Sequence, residues 1–278
     1  MPLRVGARRL ADDSAGKVRE RCLGEIAPGE VELALLQIRF HQFSLQLPGL
    51  FAALPDHSFQ SFHLPASFFD SFFDKSEMEK FIQELQEYEE DEDLKLSEGT
   101  ILEPGKEEIR SIFGIHEISK RFDRLTRDPH LLKIVRQLLD SEVYIHQSRI
   151  NYKPGFKGKG FNWHSDFETW HSEDGMPRMR CLSCSIVMTE NNEFNGPLML
   201  IPGSHKYFIP CVGRTPEDNY KESLKTQNLG VPDGASLTRL MNENAIEAPK
   251  GPAGSLIIFE CNTLHGSNAN MSPDPRSN

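Results

Sequence analysis

At 278 residues, 38% of them apolar, the chain is long enough to fold as one large domain around a substantial core. A formal net charge of −10 with no Lys/Arg cluster argues against a nucleic-acid groove, because phosphate binding relies on concentrated cationic charge. No apolar run approaches the roughly 20 residues of a bilayer-spanning helix, and no apolar segment follows the basic N-terminal residues, so a soluble cytoplasmic protein is expected, with no nucleic-acid or membrane partner.

Arg4, Arg8 and Arg9 are followed at once by Asp12 and Asp13, which speaks against an organelle transit peptide. Residues 1–65 read as a divergent N-terminal segment without sustained periodicity, apart from an expected helix from Val31 to Phe43. From Ser76 the signal sharpens: Ser76 and Glu79 form a capping-box pattern, and Met78, Phe81, Ile82 and Leu85 recur at helical spacing. The acidic run Glu87 to Asp93 reads as a solvated helix end. A further helix starts where Asp128 can cap and Pro129 can fill the first turn, with Leu131, Leu132, Val135, Leu138 and Leu139 as its buried stripe. These helices are expected to buttress a sheet.

After Ser141 the texture changes to short β-prone runs broken by Gly and Pro: Val143 to Tyr152, Cys181 to Thr189, Gly196 to Ile201 and Ser255 to Glu260. That pattern predicts a β-sandwich or jelly roll. Lys206 to Ala245 interrupts it with polar sequence too long for a hairpin turn, and is expected to be an insertion covering one end. The five cysteines are scattered, and the lone Cys181-x-x-Cys184 lies in a strand-like run without a second pair, so reduced, structural cysteines are expected rather than a zinc site.

His164 and Asp166 lie two residues apart in Phe161-Asn-Trp-His-Ser-Asp166, so on a strand both side chains would leave from one face. By itself His-x-Asp is a short pattern that ordinary hydrogen bonding also produces. A third ligand is available in His265, directly after the apolar run Ser255 to Glu260, and two histidines with one carboxylate make a facial triad that leaves metal positions open. Arg276 follows eleven residues later on what reads as the next strand, where its guanidinium can grip a carboxylate with two hydrogen bonds. A zinc hydrolase is disfavoured, since no Glu base of the H-E-x-x-H kind is present. His171 and His205 lie near these motifs and read as supporting or structural residues.

The runs Ile145-His-Gln-Ser-Arg-Ile-Asn-Tyr-Lys-Pro-Gly-Phe156, Phe161-Asn-Trp-His-Ser-Asp-Phe-Glu-Thr-Trp-His-Ser-Glu-Asp-Gly-Met-Pro-Arg-Met-Arg180 and Phe194-Asn-Gly-Pro-Leu-Met-Leu-Ile-Pro-Gly-Ser-His205 are far more specific. They resemble the 2-oxoglutarate-dependent oxygenases of the phytanoyl-CoA dioxygenase superfamily, and within it the branch that hydroxylates ectoine. The resemblance covers about Ile109 to Asn278. It implies a mainly β fold with flanking helices, the double-stranded β-helix of the jelly-roll or cupin type, occupying residues 66–278. By position it puts Fe(II) on His164, Asp166 and His265, and 2-oxoglutarate on Lys153, Arg276 and Phe161. Ectoine falls on Gln147, Arg149 and Trp170, with Arg149 suited to its carboxylate and the Trp170 indole to its delocalised cation. The implied reaction consumes 2-oxoglutarate and O2, forms succinate and CO2, and converts ectoine to 5-hydroxyectoine. A homodimer is compatible with the family.

Relatives of that branch continue beyond Pro275-Arg-Ser-Asn278 with another core strand, so an open sheet edge is expected here. Two other readings follow: an oxygenase of the same superfamily acting on another small solute, and a catalytically impaired remnant acting only as a binding module.

Overall fold

Three short antiparallel sheets and a set of flanking helices emerge in the computed structural model, which describes residues 59–62, 66–105, 107–210 and 231–278. The helix expected over Val31 to Phe43 lies outside the described residues. One sheet runs β1 (Phe59–Phe62), β2 (Ala66–Phe69), β9 (Leu256–Glu260) and β7 (Leu182–Ile186). A second runs β6 (Phe161–His164), β10 (His265–Ser267) and β8 (Leu198–Leu200). The third runs β11 (Arg276–Ser277), β5 (Arg149–Lys153), β4 (Ile109–Phe113) and β3 (Thr100–Leu102). None of the helices among the described residues is long and apolar enough to cross a membrane.

The central strand β9 is buried on both faces, and its continuous apolar run Leu256 to Phe259 reflects that. Ile257 and Phe259 pack with Phe68 and Val187, while Leu256 and Ile258 meet the helix Pro129–Leu139. Gly254 sets up the strand's entry with φ +93°, and a Cβ there would meet Phe73 O at 2.1 Å.

The helices α1 (Lys75–Glu90), α2 (Glu92–Lys95), α3 (Ile115–Ile118), α4 (Lys120–Thr126) and α5 (Pro129–Leu139) cover the β3–β4–β5 sheet and the outer face of β9. In α1 the expected stripe is right, with Met78, Phe81 and Leu85 buried. The cap, however, is Asp74 and not Ser76: Asp74 is extended and its carboxylate accepts from the Ser76 N–H, so the helix begins two residues earlier than the capping-box reading required. In the acidic run Asp91 caps α2 through the Leu94 N–H, and its neighbours are exposed, as a solvated helix end should be. The α5 start is as expected, with Asp128 accepting from His130 and Leu131 N–H ahead of Pro129. Its most buried positions are Leu131 and Ile134, the latter absent from the expected stripe.

Strands β2, β3 and β4 lie ahead of Ser141, in a region where the apolar periodicity pointed only to helices. Conversely, Val143 to Ser148 is irregular and only Arg149–Lys153 of that expected strand pairs. Residues 143–148 line a cavity instead of a sheet, which removes the alternation pressure. Part of the expected insertion is helical: α7 (Gly234–Asn244), capped by Asp233, buries Leu240 against Ile201, Ile209 and Leu264. Residues 211–230 lie outside the described residues.

Phe81 is 1% exposed and meets Phe122 edge to face at 4.8 Å, joining α1 to α4 over the sheet. Phe81→Ala is expected to lower unfolding free energy by about 3–5 kcal/mol, read as a lower urea midpoint with an unchanged slope.

Candidate metal centre and substrate cavity

The β6–β10 ladder is antiparallel and registers His164 directly opposite His265. Their ring centroids stand 4.2 Å apart. Asp166 joins them differently from expectation. The strand stops at His164; Ser165 is an extended N-cap whose hydroxyl accepts from the Glu168 N–H, and Asp166 is the first residue of α6 (Asp166–Glu173). The signal was present in the sequence as the capping-box pattern Ser165-x-x-Glu168. A helix start also suits a carboxylate electrostatically. One ligand atom from each of the three residues lies within 4.8 Å of the others, and His265 Nε2 is 3.8 Å from Asp166 Oδ1.

Backbone carbonyls fix both imidazoles. His164 Nδ1 donates to Asn162 O at 2.7 Å and His265 Nδ1 to Thr263 O at 2.9 Å. A carbonyl only accepts, so the Nδ1 atoms carry the protons and the Nε2 lone pairs are left for a ligand. Ser183 Oγ donates to Asp166 Oδ2 at 2.9 Å, leaving Oδ1 toward His265. Burial, then the neighbouring His265, lowers the His164 pKa to about 4, which keeps the ring neutral. Burial works against ionised Asp166, but His265, His164, Arg149 and the Ser183 hydrogen bond outweigh it and hold the carboxyl below its usual range. Two imidazole nitrogens and one carboxylate oxygen, open on one side to a cavity, suit a non-haem Fe(II) ion.

The turn that presents His265 is bolted in place by residues outside the expected site. Leu264 N–H donates to Ser204 Oγ, Asn262 Nδ2 donates to the carbonyls of His205 and Tyr207, and Phe167 N–H donates to Cys261 O. His205 thus acts through its backbone, while exposed His171 bonds Met176 O; neither belongs to the metal cluster. Cys184 sits on β7 with its thiol pushed up to about 12 by burial, and Cys181 and Cys184 are both free.

The cavity has a volume of about 850 Å³ and takes in eight of the nine expected site residues: Gln147, Arg149, Phe161, His164, Asp166, Trp170, His265 and Arg276. Arg276 is 3% exposed, and its Nε and Nη1 have no hydrogen-bond partner among the described residues. Burial lowers its pKa to about 10. Two unsatisfied buried guanidinium donors are costly, and a ligand carboxylate is the group that relieves them.

Lys153 is the exception. It registers opposite Arg276 across β5 and β11, but its ammonium donates to Lys159 O at 2.9 Å and to Asn268 O. It therefore lies behind the wall and not in it, with its pKa lowered to about 6 by burial and by the charges of Arg276 and Arg110. Gly158 allows this packing, since a Cβ there would sit 2.7 Å from Lys153 Cα.

Arg110 and Glu103 escaped the sequence reading altogether. Arg110 is 1% exposed, pairs with Glu103 at 3.2 Å, donates to the carbonyls of Lys159 and Gly160, and lies 3.7 Å from the Phe161 ring centroid. It holds the Phe161 ring and the loop before it. His146 was also missed, although it neighbours Gln147 and touches Trp170.

With the site described, comparison with known proteins is decisive for ancestry. The family model for phytanoyl-CoA dioxygenase (PhyH) matches residues 67–278. The chain belongs to this family. It is 58% identical over 207 residues to the ectoine dioxygenase of Halomonas elongata, a match covering 74% of this chain and 62% of that protein. It is 55% identical over 209 residues to the ectoine dioxygenase of Bordetella bronchiseptica, covering 75% and 68% respectively. Among solved structures it resembles EctD from S. alaskensis with 2-oxoglutarate and 5-hydroxyectoine, with a TM-score of 0.68 and 40% identity over 86% of this chain and 76% of that one. The three antiparallel sheets are thus parts of the jelly-roll fold of that family, with helices flanking it. The match begins within strand β2 and not at the expected Ile109, which extends the resemblance to residue 67.

Two expectations follow from this geometry. Ser183→Ala, which frees one Asp166 oxygen, is expected to weaken Fe(II) or Co(II) binding by about tenfold, measured by anaerobic titration calorimetry. The second concerns Glu260, whose carboxyl burial pushes up to about 7 from the ordinary 4.5. Between those values the folded chain keeps a proton that the unfolded chain has lost, so this group favours folding at low pH and ceases to as pH rises. In metal-free protein, Glu260→Gln should therefore gain on the wild type by up to about 3 kcal/mol as pH passes from 4.5 to 7, read as the difference between urea unfolding curves.

Proposed function

We propose that residues 66–278 form an Fe(II)- and 2-oxoglutarate-dependent oxygenase domain that hydroxylates ectoine to 5-hydroxyectoine. The observation that carries the reading is one cavity lined by an open-sided His164–Asp166–His265 cluster, by Arg276 with two unpartnered donors, and by Gln147, Arg149 and Trp170. Its support is the identity to ectoine dioxygenases quoted above.

His164 Nε2, His265 Nε2 and an Asp166 oxygen would hold the iron. When bound, the metal couples oxidative decarboxylation of 2-oxoglutarate by O2, giving succinate and CO2, to oxygen insertion into a substrate C–H bond. The chain supplies position and exclusion. Arg276 takes the co-substrate's far carboxylate, and Phe161, stacked on Arg110, walls that pocket. Lys153 lies behind it, where a bound dianion would favour its protonated form. Arg149 pairs with the substrate carboxylate, Gln147 offers an amide, and Trp170 faces the delocalised cation. Holding the substrate in one pose decides which C–H bond reacts.

The test combines the purified chain with Fe(II), 2-oxoglutarate and ectoine in air, following succinate and hydroxyectoine by mass spectrometry. Ectoine-dependent succinate with matching hydroxyectoine is expected, and His164→Ala should abolish both. Arg276→Ala should raise the KM for 2-oxoglutarate by at least about thirtyfold. Succinate without hydroxyectoine would assign a different small solute, and failure to bind metal would reject the oxygenase reading.

A further inference from the structure

The three residues assigned to ectoine come from two separate segments: Gln147 and Arg149 from the stretch entering and forming β5, and Trp170 from α6. His146 joins those segments. Its ring meets the Trp170 indole edge to face, with centroids 4.9 Å apart and planes inclined by 66°. Its Nε2 lies 3.1 Å from Asp174 Oδ2. Asp174 is the C-cap of α6, and its backbone N–H bonds to Trp170 O, as does the Met176 N–H. His146 also lines the cavity, and its side chain is only 20% exposed.

We propose that His146, tethered by Asp174, is a positioning residue for substrate recognition: it holds the Trp170 indole in one orientation and fixes the adjacent Gln147 relative to it. The proposal rests on the ectoine reading above. An indole presenting a face to a cation must not rotate, and an imidazole edge packed against it restrains that rotation. A phenylalanine could supply the edge. The imidazole alone also offers an N–H to Asp174, which pins the ring to the end of the helix that carries Trp170. The main chain then passes from His146 directly to Gln147, so one tether sets two substrate contacts.

This chain has two tryptophans, Trp163 and Trp170, so its indole N–H groups give two assignable NMR signals. Two measurements on the full chain decide the matter. In steady-state assays His146→Ala should raise the KM for ectoine by about tenfold, with kcat and the KM for 2-oxoglutarate within about twofold of wild type. Asp174→Ala should follow it, Asp174→Asn should restore near-normal values because an amide oxygen still accepts, and His146→Phe should fall between. In metal-free protein the Trp170 indole signal should shift and broaden in His146→Ala while that of Trp163 stays in place. An unmoved Trp170 signal, an unchanged ectoine KM, or equal rises in both KM values would overturn the proposal. If the wild type leaves ectoine untouched while His146→Ala still releases the Trp170 signal, the ectoine reading falls and the positioning of Trp170 by His146 stands.

Discussion

Everything at the centre of this molecule depends on one cross-strand pair. The β6–β10 ladder sets His164 against His265, and an antiparallel ladder permits no gradual adjustment: a slip of one residue would send one imidazole to the opposite face. The surrounding contacts defend that register. Ser204 and the carbonyls of His205 and Tyr207 fix the turn before β10, and α7 packs Leu240 beneath it. On the other side the Ser165 cap converts strand to helix at the one point that swings Asp166 toward both rings. The three ligand atoms converge because a ladder and a helix cap are both geometrically strict, not because the residues are near in sequence.

A second constraint is the charge placed behind the cavity. Arg110, Lys153 and Arg276 are all nearly inaccessible, and Glu103 is the carboxylate paired among them. Three basic groups beside one carboxylate in a buried cluster are unfavourable when all are charged, and the lowered pKa values of Arg110, Lys153 and Arg276 express the cost. Arg110 and Lys153 offset part of it with the carbonyls of Lys159, Gly160 and Asn268. Arg276 does not: its Nε and Nη1 have no partner among the described residues. A dianionic co-substrate would bring the compensating charge. The fold thus gives up stability to make an anion site, as buried polar networks at functional sites commonly do.

The candidate metal cluster was largely legible in the sequence because His164 and Asp166 sit in one short motif and His265 in another, and long runs such as Phe161 to Arg180 tie those motifs to a family. What failed was the local reason: His164 and Asp166 converge through the Ser165–Glu168 cap rather than through strand alternation, and both patterns fit the stretch Phe161 to Glu168. Arg110 was not legible at all. Nothing local in Ile109-Arg-Ser-Ile-Phe113 marks it for burial, which depends on Glu103 and on carbonyls some fifty residues away. His146 was hidden for a similar reason, since its partners Trp170 and Asp174 are distant in sequence and no periodicity links them. The strands before Ser141 were missed because short alternating runs between strong helices leave a weak signal.

The two halves of the cavity are built from different material, and this has a functional consequence. The side carrying His164, His265 and Arg276 stands on ladders β6–β10 and β5–β11, where these residues are held by register and by buried neighbours. The side carrying Gln147, Arg149 and Trp170 stands on the irregular residues 143–148, on the first residue of β5 and on α6, where Gln147 is exposed and Arg149 half-buried. Changes on the first side disturb register and the buried charge together, so few substitutions leave it working. Changes on the second alter which solute fits while leaving the oxygen-activating apparatus intact. A family that shares one reaction across many substrates would be expected to vary along that second wall, and the tether from His146 to Trp170 and Asp174 is what keeps an irregular segment ordered enough to discriminate there.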